Sequence, residues 1–247
     1  MTRGVSMKNK VWNLDHDFLE IEELVKTREA SFLKTGVYWW DNSFNGLQRG
    51  AIQLVAAPTG RGKTSFLLAM ARKLIDQGLK VIYVGTEQTV EDMYLSVGPL
   101  NLYYTLLPYG TFINTEMVDY FKEEKFDVVI YDYLGGNGNI NPALSDWRDL
   151  MEQVALLDAF AKQNQVAILT AIQADDSINL ISAKDVPDTG QYISFSKHIL
   201  DKVTVACYLI KEGESLAYLK CIKNRYGRKP DKLMELHLNY RTKCLTD

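Results

Sequence analysis

Ala57-Pro58-Thr59-Gly60-Arg61-Gly62-Lys63-Thr64 is the stretch that decides the fold. The apolar run Ile52-Gln53-Leu54-Val55-Ala56 precedes it, and a helix-patterned segment over residues 65–77 follows, closing at Gly78. Strand, glycine-bearing loop and helix in this order form the setting in which Gly-Lys-Thr wraps a phosphate chain. Backbone N–H groups of the loop and of the first helical turn converge on one point, and the helix dipole adds positive potential there. The cradle runs from Ala57 to Ser65. Lys63 is placed to reach the terminal phosphates, and the Thr64 hydroxyl to bind Mg²⁺. Ala57 stands where the pattern usually carries its first glycine.

The chain has 247 residues and a net charge of −3, which argues against a global field for nucleic acid. Contact with nucleic acid would have to come from local loops. No apolar run reaches membrane-spanning length, and the polar N-terminus lacks a signal-peptide core. Cys207, Cys221 and Cys244 are far apart and match no zinc or disulfide spacing. The expectation is a reduced, cytoplasmic protein without a membrane partner.

Outward from the loop, apolar runs at residues 52–56, 80–84, 128–131 and 166–171 read as strands of a parallel sheet buried on both faces. Helices are expected over 65–77, from Val90 to Leu95, over 116–124, and along the stripe Trp147, Leu150, Met151, Val154, Leu157, Phe160, with Ser145 or Asp146 as cap. Runs at 203–210, 216–223 and 233–238, joined by Gly-bearing turns, read as antiparallel strands added at the C-terminal end. The fold class is therefore α/β, a mostly parallel sheet flanked by helices. Residues 1–34 form an N-terminal extension and 35–247 the main domain. Within the extension, Phe18, Ile21, Leu24 and Val25 recur at helical spacing, continuing to Phe32 and Leu33. This helix either packs on its own domain or docks on a neighbouring subunit.

Further residues carry chemistry. Asp132 ends the strand Val128-Val129-Ile130-Tyr131, where a carboxylate beside a phosphate loop supports Mg²⁺. Glu87 follows the second strand through Gly85-Thr86. It either polarises a water for attack on the terminal phosphate or serves the start of the next helix. Gln173 closes the strand at 166–171 and reads as a phosphate-contacting amide or a polar strand end. Lys223 and Arg225, with Arg228 and Lys229 nearby, form either a solvated basic hairpin or cations offered to a neighbour's phosphates.

This order of motifs resembles the motor domain of DnaB-type replicative helicases, within the RecA-like ATPases. The resemblance rests on Gln48 through Phe66, Val84-Gly85-Thr86-Glu87-Gln88, Ile130-Tyr131-Asp132-Tyr133-Leu134, Ala171-Ile172-Gln173 and Lys223-Asn224-Arg225-Tyr226-Gly227. That family also tolerates Ala at the first loop position. The resemblance spans roughly residues 32–240 and implies ATP and Mg²⁺ as cofactors. It also implies Glu87 as catalytic base, Gln173 as γ-phosphate sensor, and Lys223 and Arg225 acting in trans. By the same token it implies a hexameric ring on single-stranded DNA with replication or loader proteins as partners. The chain carries no counterpart of the family's primase-interacting domain, which suits a compact phage or mobile-element form in a bacterial cytoplasm.

In such rings DNA follows the loops after the Mg²⁺ strand and the sensor strand, here residues 135–141 and 174–191. The first offers glycines and amides to phosphates. The second has Lys184 as its one cation, against acids that include Asp175 and Asp176. A RecA- or Rad51-like filament ATPase and a non-motor, KaiC-like or helicase-associated ATPase are the alternatives.

Overall fold

The computed structural model describes residues 11–107, 120–121, 123–135, 146–193 and 196–246, the side chains of 146–149 and 196–197 excepted. The chain divides into two units, Met1–Phe32 and Leu33–Asp247. The first contains α1 (Phe18–Ala30), which has no buried residue. Phe18, Leu19 and Val25 are at least half exposed. The helix stops at Ala30, short of the expected continuation to Phe32 and Leu33.

The second unit is built on a nine-stranded sheet. In chain order its strands are β1 (Ala51–Ala57), β2 (Val81–Gly85), β3 (Tyr103–Leu106), β4 (Val128–Leu134) and β5 (Ala167–Gln173), then β6 (Val205–Lys211), β7 (Leu216–Asn224), β8 (Met234–Asn239) and β9 (Cys244–Thr246). The spatial order is β9-β8-β7-β6-β1-β5-β4-β2-β3. From β3 across to β6 every pairing is parallel; from β6 to β9 every pairing is antiparallel. The α/β class and the antiparallel extension thus match the sequence reading. Two strands escaped it: β3, a half-buried edge strand, and the three-residue β9.

β1 and β2 are buried at every position, as strands covered on both faces must be. One sheet face packs under α2 (Tyr38–Phe44) and α3 (Lys63–Asp76), with Trp40, Phe44, Phe66 and Leu74 wholly buried. On the other face lies α5 (Asp146–Asn164), after α4 (Val90–Val97), and α6 (Ser196–Lys202) follows later in the chain. The stripe Leu150, Val154, Leu157 and Phe160 is core there, while the Trp147 side chain and residues 116–119 and 122 of the expected helix lie outside the described residues. One buried polar group on β1 is fully used. The Gln53 amide accepts from Trp40 Nε1 at 3.0 Å and donates to Gly46 O at 2.9 Å, so burial leaves neither side chain unpaired.

Sequence spacing set the cysteines apart, yet Cys207 on β6 faces Cys221 on β7 in direct register. Both are buried free thiols, and Cys244 is exposed. Among the described residues no His/Cys/Asp/Glu group could hold a metal on its own, and no helix is long and apolar enough to cross a membrane.

Candidate nucleotide site

β1 ends at Ala57 and α3 begins at Lys63, with the loop between them turning through Gly60 (φ 70°) and Gly62 (φ 95°). Gly62 stands at the N-cap and supplies no side-chain cap. The first-turn N–H groups of α3 are therefore not taken by an N-cap side chain. Lys63 folds across its own loop and donates to the carbonyls of Ala57 and Pro58, each at 2.9 Å. Its pKa is lowered mainly by burial; Asp132, Glu87 and Asp176 act the other way. Three carboxylates that are distant in sequence therefore act on one ammonium.

Asp132 is the buried member of that group. Burial raises its pKa, opposed by the Tyr83 and Thr64 hydroxyls and by Lys63. Tyr83 donates to Oδ2 at 2.5 Å, while Oδ1 is enclosed with no hydrogen-bond partner. An orphaned buried oxygen on a carboxylate that the Thr64 hydroxyl also acts on fits a hard divalent cation that keeps waters in its shell. Thr64 and Asp132 would hold Mg²⁺ there.

Glu87 lies exposed just past the end of β2. It is not the cap of α4, because Thr89 takes that place and accepts from Asp92 N. The turn carrying Glu87 is held from the edge strand, where the Tyr104 hydroxyl donates to Gln88 O. A Cβ on Gly85 would fall 2.6 Å from that same hydroxyl, so any other residue there would force the Tyr104 ring to shift. Gln173 is exposed at the end of β5, level with Ala57 in the parallel register. The next residue donates from Ala174 N to Ala57 O at 3.0 Å, tying the post-β5 loop to the phosphate loop.

That loop, residues 174–191, is packed rather than a loose connector. Ala174, Ile178, Ala183 and Val186 are buried, Tyr208 Oη donates to Thr189 O at 3.0 Å, and Lys229 pairs with Asp188 at 2.6 Å. Of the other expected nucleic-acid loop, all but Gly135 lies outside the described residues.

Lys223 and Arg225 are not brought to this chain's phosphate loop. Arg225 N bonds Thr204 O, and Thr204 N bonds Ile52 O, at the end of the sheet where β1 starts. Both side chains turn to the last carbonyls of α6, Lys223 to Leu200 O and Arg225 to Asp201 O. Cations at a helix C-terminus are favourable, so the pair has a structural task within its own chain.

The sequence reading missed a further neighbour of the loop. The turn between β8 and β9 leans on it. Tyr240 lies so close to Gly62 that a Cβ there would meet Cε1 at 2.3 Å. Lys243 Nζ donates to Ser65 Oγ at 2.9 Å and to Tyr240 O at 2.5 Å. Lys211 Nζ lies 4.1 Å from the centroid of the same ring. Gly62→Ala would suffer both the left-handed φ and the ring, a destabilisation of about 2–4 kcal/mol. Chemical denaturation of that variant, Tyr240→Ala and the double variant is expected to show coupling of about 1–3 kcal/mol between the two positions. Strict additivity would mean that the ring and the loop do not press on each other.

Comparison with solved structures places this architecture. A structure described as an ATPase domain superposes with a TM-score of 0.71 at 14% identity, covering 96% of this chain and 99% of that one. The fold is RecA-like. A DnaB-like replicative helicase, in a structure described with its interactions with primase, gives 0.72 at 13% identity over 97% of this chain and 68% of its own. The RadB recombinase gives 0.61 at 15% identity over 85% and 98%. No family profile and no curated protein sequence matches the chain. The resemblance to DnaB-type ATPase domains carried by the motifs therefore stands at the level of a RecA-like core.

Proposed function

We propose that this protein is an Mg²⁺-dependent ATPase that moves on single-stranded DNA as a ring, a compact helicase-type motor. The observation that carries the ATPase reading is the meeting of Lys63, Thr64 and Asp132, with Asp132 Oδ1 enclosed and unpartnered. Bound there, Mg²⁺ supplies charge neutralisation for the β- and γ-phosphates. Loop and α3 N–H groups, with Lys63, hold the phosphates. Glu87 orients and deprotonates the attacking water, Gln173 contacts the γ-phosphate, and Lys223 and Arg225 reach the site of an adjacent copy. The likeness to an ATPase domain and to a DnaB-like replicative helicase supports the motor and, with it, a hexameric ring. Exposed apolar residues of α1 suit docking on an adjacent subunit.

One observation favours a second reading. The loop after β5 is packed and acidic, with Asp176 acting on Lys63, which offers little to a DNA backbone. This suits a non-motor regulatory or helicase-associated ATPase, and the likeness to RadB keeps a recombination filament in view. ATP hydrolysis with and without single-stranded DNA, Lys63→Ala as blank and mass by light scattering, separates them. DNA-stimulated hydrolysis by a ring-sized oligomer is expected. Hydrolysis indifferent to DNA would overturn the motor.

A further inference from the structure

We infer that Lys243, in the turn between β8 and β9, is a ligand of the phosphates nearest the nucleoside, those that ATP and ADP share. This rests on the phosphate loop binding a nucleotide. Thr64 faces Asp132, and one residue further along α3 the side chain turns by about 100° around the helix axis. Ser65 therefore leaves the helix start in a different direction, and it is Ser65 Oγ that Lys243 Nζ meets at 2.9 Å. A phosphate chain whose terminal groups lie at Lys63 and Thr64 continues past the helix N-terminus toward that side.

The charges there ask for an anion. Lys243 is half-buried, and burial lowers its pKa. Its hydrogen-bond partners among the described residues are two neutral oxygens, Ser65 Oγ and Tyr240 O, and no ion pair joins it to a described carboxylate. A half-buried ammonium without a counter-ion is costly. Arg61 acts on the Tyr240 hydroxyl electrostatically, and Lys211 lies against that ring. The Tyr240 hydroxyl is itself enclosed without a hydrogen-bond partner. Cations from two other segments, Arg61 and Lys211, thus join Lys243 at one turn, beside a helix start whose N–H groups also favour negative charge.

Isothermal titration of Mg-ATP and Mg-ADP into the full chain tests this, with Lys243→Ala, Lys243→Met, Lys243→Arg and Lys63→Ala alongside. Lys243→Ala and Lys243→Met should weaken ATP and ADP by the same factor, roughly 10- to 100-fold for a lost charge-assisted hydrogen bond. Lys243→Arg should recover most of it. Rescue by Met, which keeps the apolar stem, would assign Lys243 a packing role and overturn the inference. Unchanged affinity, or a loss confined to ATP, would also overturn it. If the parent protein binds neither nucleotide, the phosphate-loop reading itself fails; if it binds both, loses them in Lys63→Ala and keeps them in Lys243→Met, only the role of Lys243 fails. Unfolding midpoints of the four variants identify any that do not fold.

Discussion

Glu87→Gln should lower ATP turnover by roughly 10²–10⁴-fold, the range for removing a general base, while ATP affinity changes by no more than about threefold. The amide keeps the shape of the side chain and removes its ability to take a proton. The alternative task for Glu87, serving the start of α4, is already performed by Thr89. Its carboxylate, at the strand end, acts on both Lys63 and Asp132. The turn that carries it is braced by Tyr104, so the substitution has little cause to disturb the fold. Phosphate release and calorimetric binding on the same preparation give both quantities. Turnover within a few fold of the parent would leave Glu87 without a catalytic role.

The larger effect is expected at Arg225. If its guanidinium serves a neighbouring active site, Arg225→Ala should reduce hydrolysis by roughly 10³–10⁵-fold, as for other cations acting in trans, with binding nearly normal. Arg225 also donates to Asp201 O, and loss of that contact alone weakens the end of α6. A mixing experiment separates the two effects. In a mixed oligomer of Arg225→Ala and Glu87→Gln chains, some interfaces join an intact Glu87 to an intact Arg225. Activity should therefore reappear on mixing two inactive proteins. Absence of rescue in oligomers shown to be mixed would assign Arg225 to the structural task.

Much of this site was legible because its parts lie at strand ends. A buried strand announces itself by its apolar run, and in a parallel sheet the residue that follows it lands on the same edge as its neighbours' ends. That rule puts Glu87 and Asp132 at one edge of the sheet, where both act on Lys63, and sets Gln173 level with Ala57. The contributors that escaped have no such marker. Tyr83 reaches Asp132 from inside β2, and only strand adjacency reveals it. Tyr104 belongs to an edge strand whose half-buried residues give no continuous apolar run. Tyr240 and Lys243 sit in a polar turn, Asn239-Tyr240-Arg241-Thr242-Lys243, that looks like any surface connection until the C-terminal strands bring it beside α3. The pairing of the cysteines was missed for the same reason, since Cys207 and Cys221 are separated along the chain but matched across a hairpin.

The position of β1 has a consequence for assembly. It pairs on one side with β5, Ala51 beside Ala167, and on the other with β6, Gln53 beside Val205. Both partners come far later in the chain, so closing these loops costs entropy before any pairing repays it. The strands from β6 to β9, by contrast, pair with successive neighbours through short turns. During synthesis the phosphate loop emerges well before β5 and β6, the two strands that flank β1 in the finished sheet. A nucleotide bound at the proposed site would then report late on folding, and at saturation would act on the finished domain rather than template its early steps.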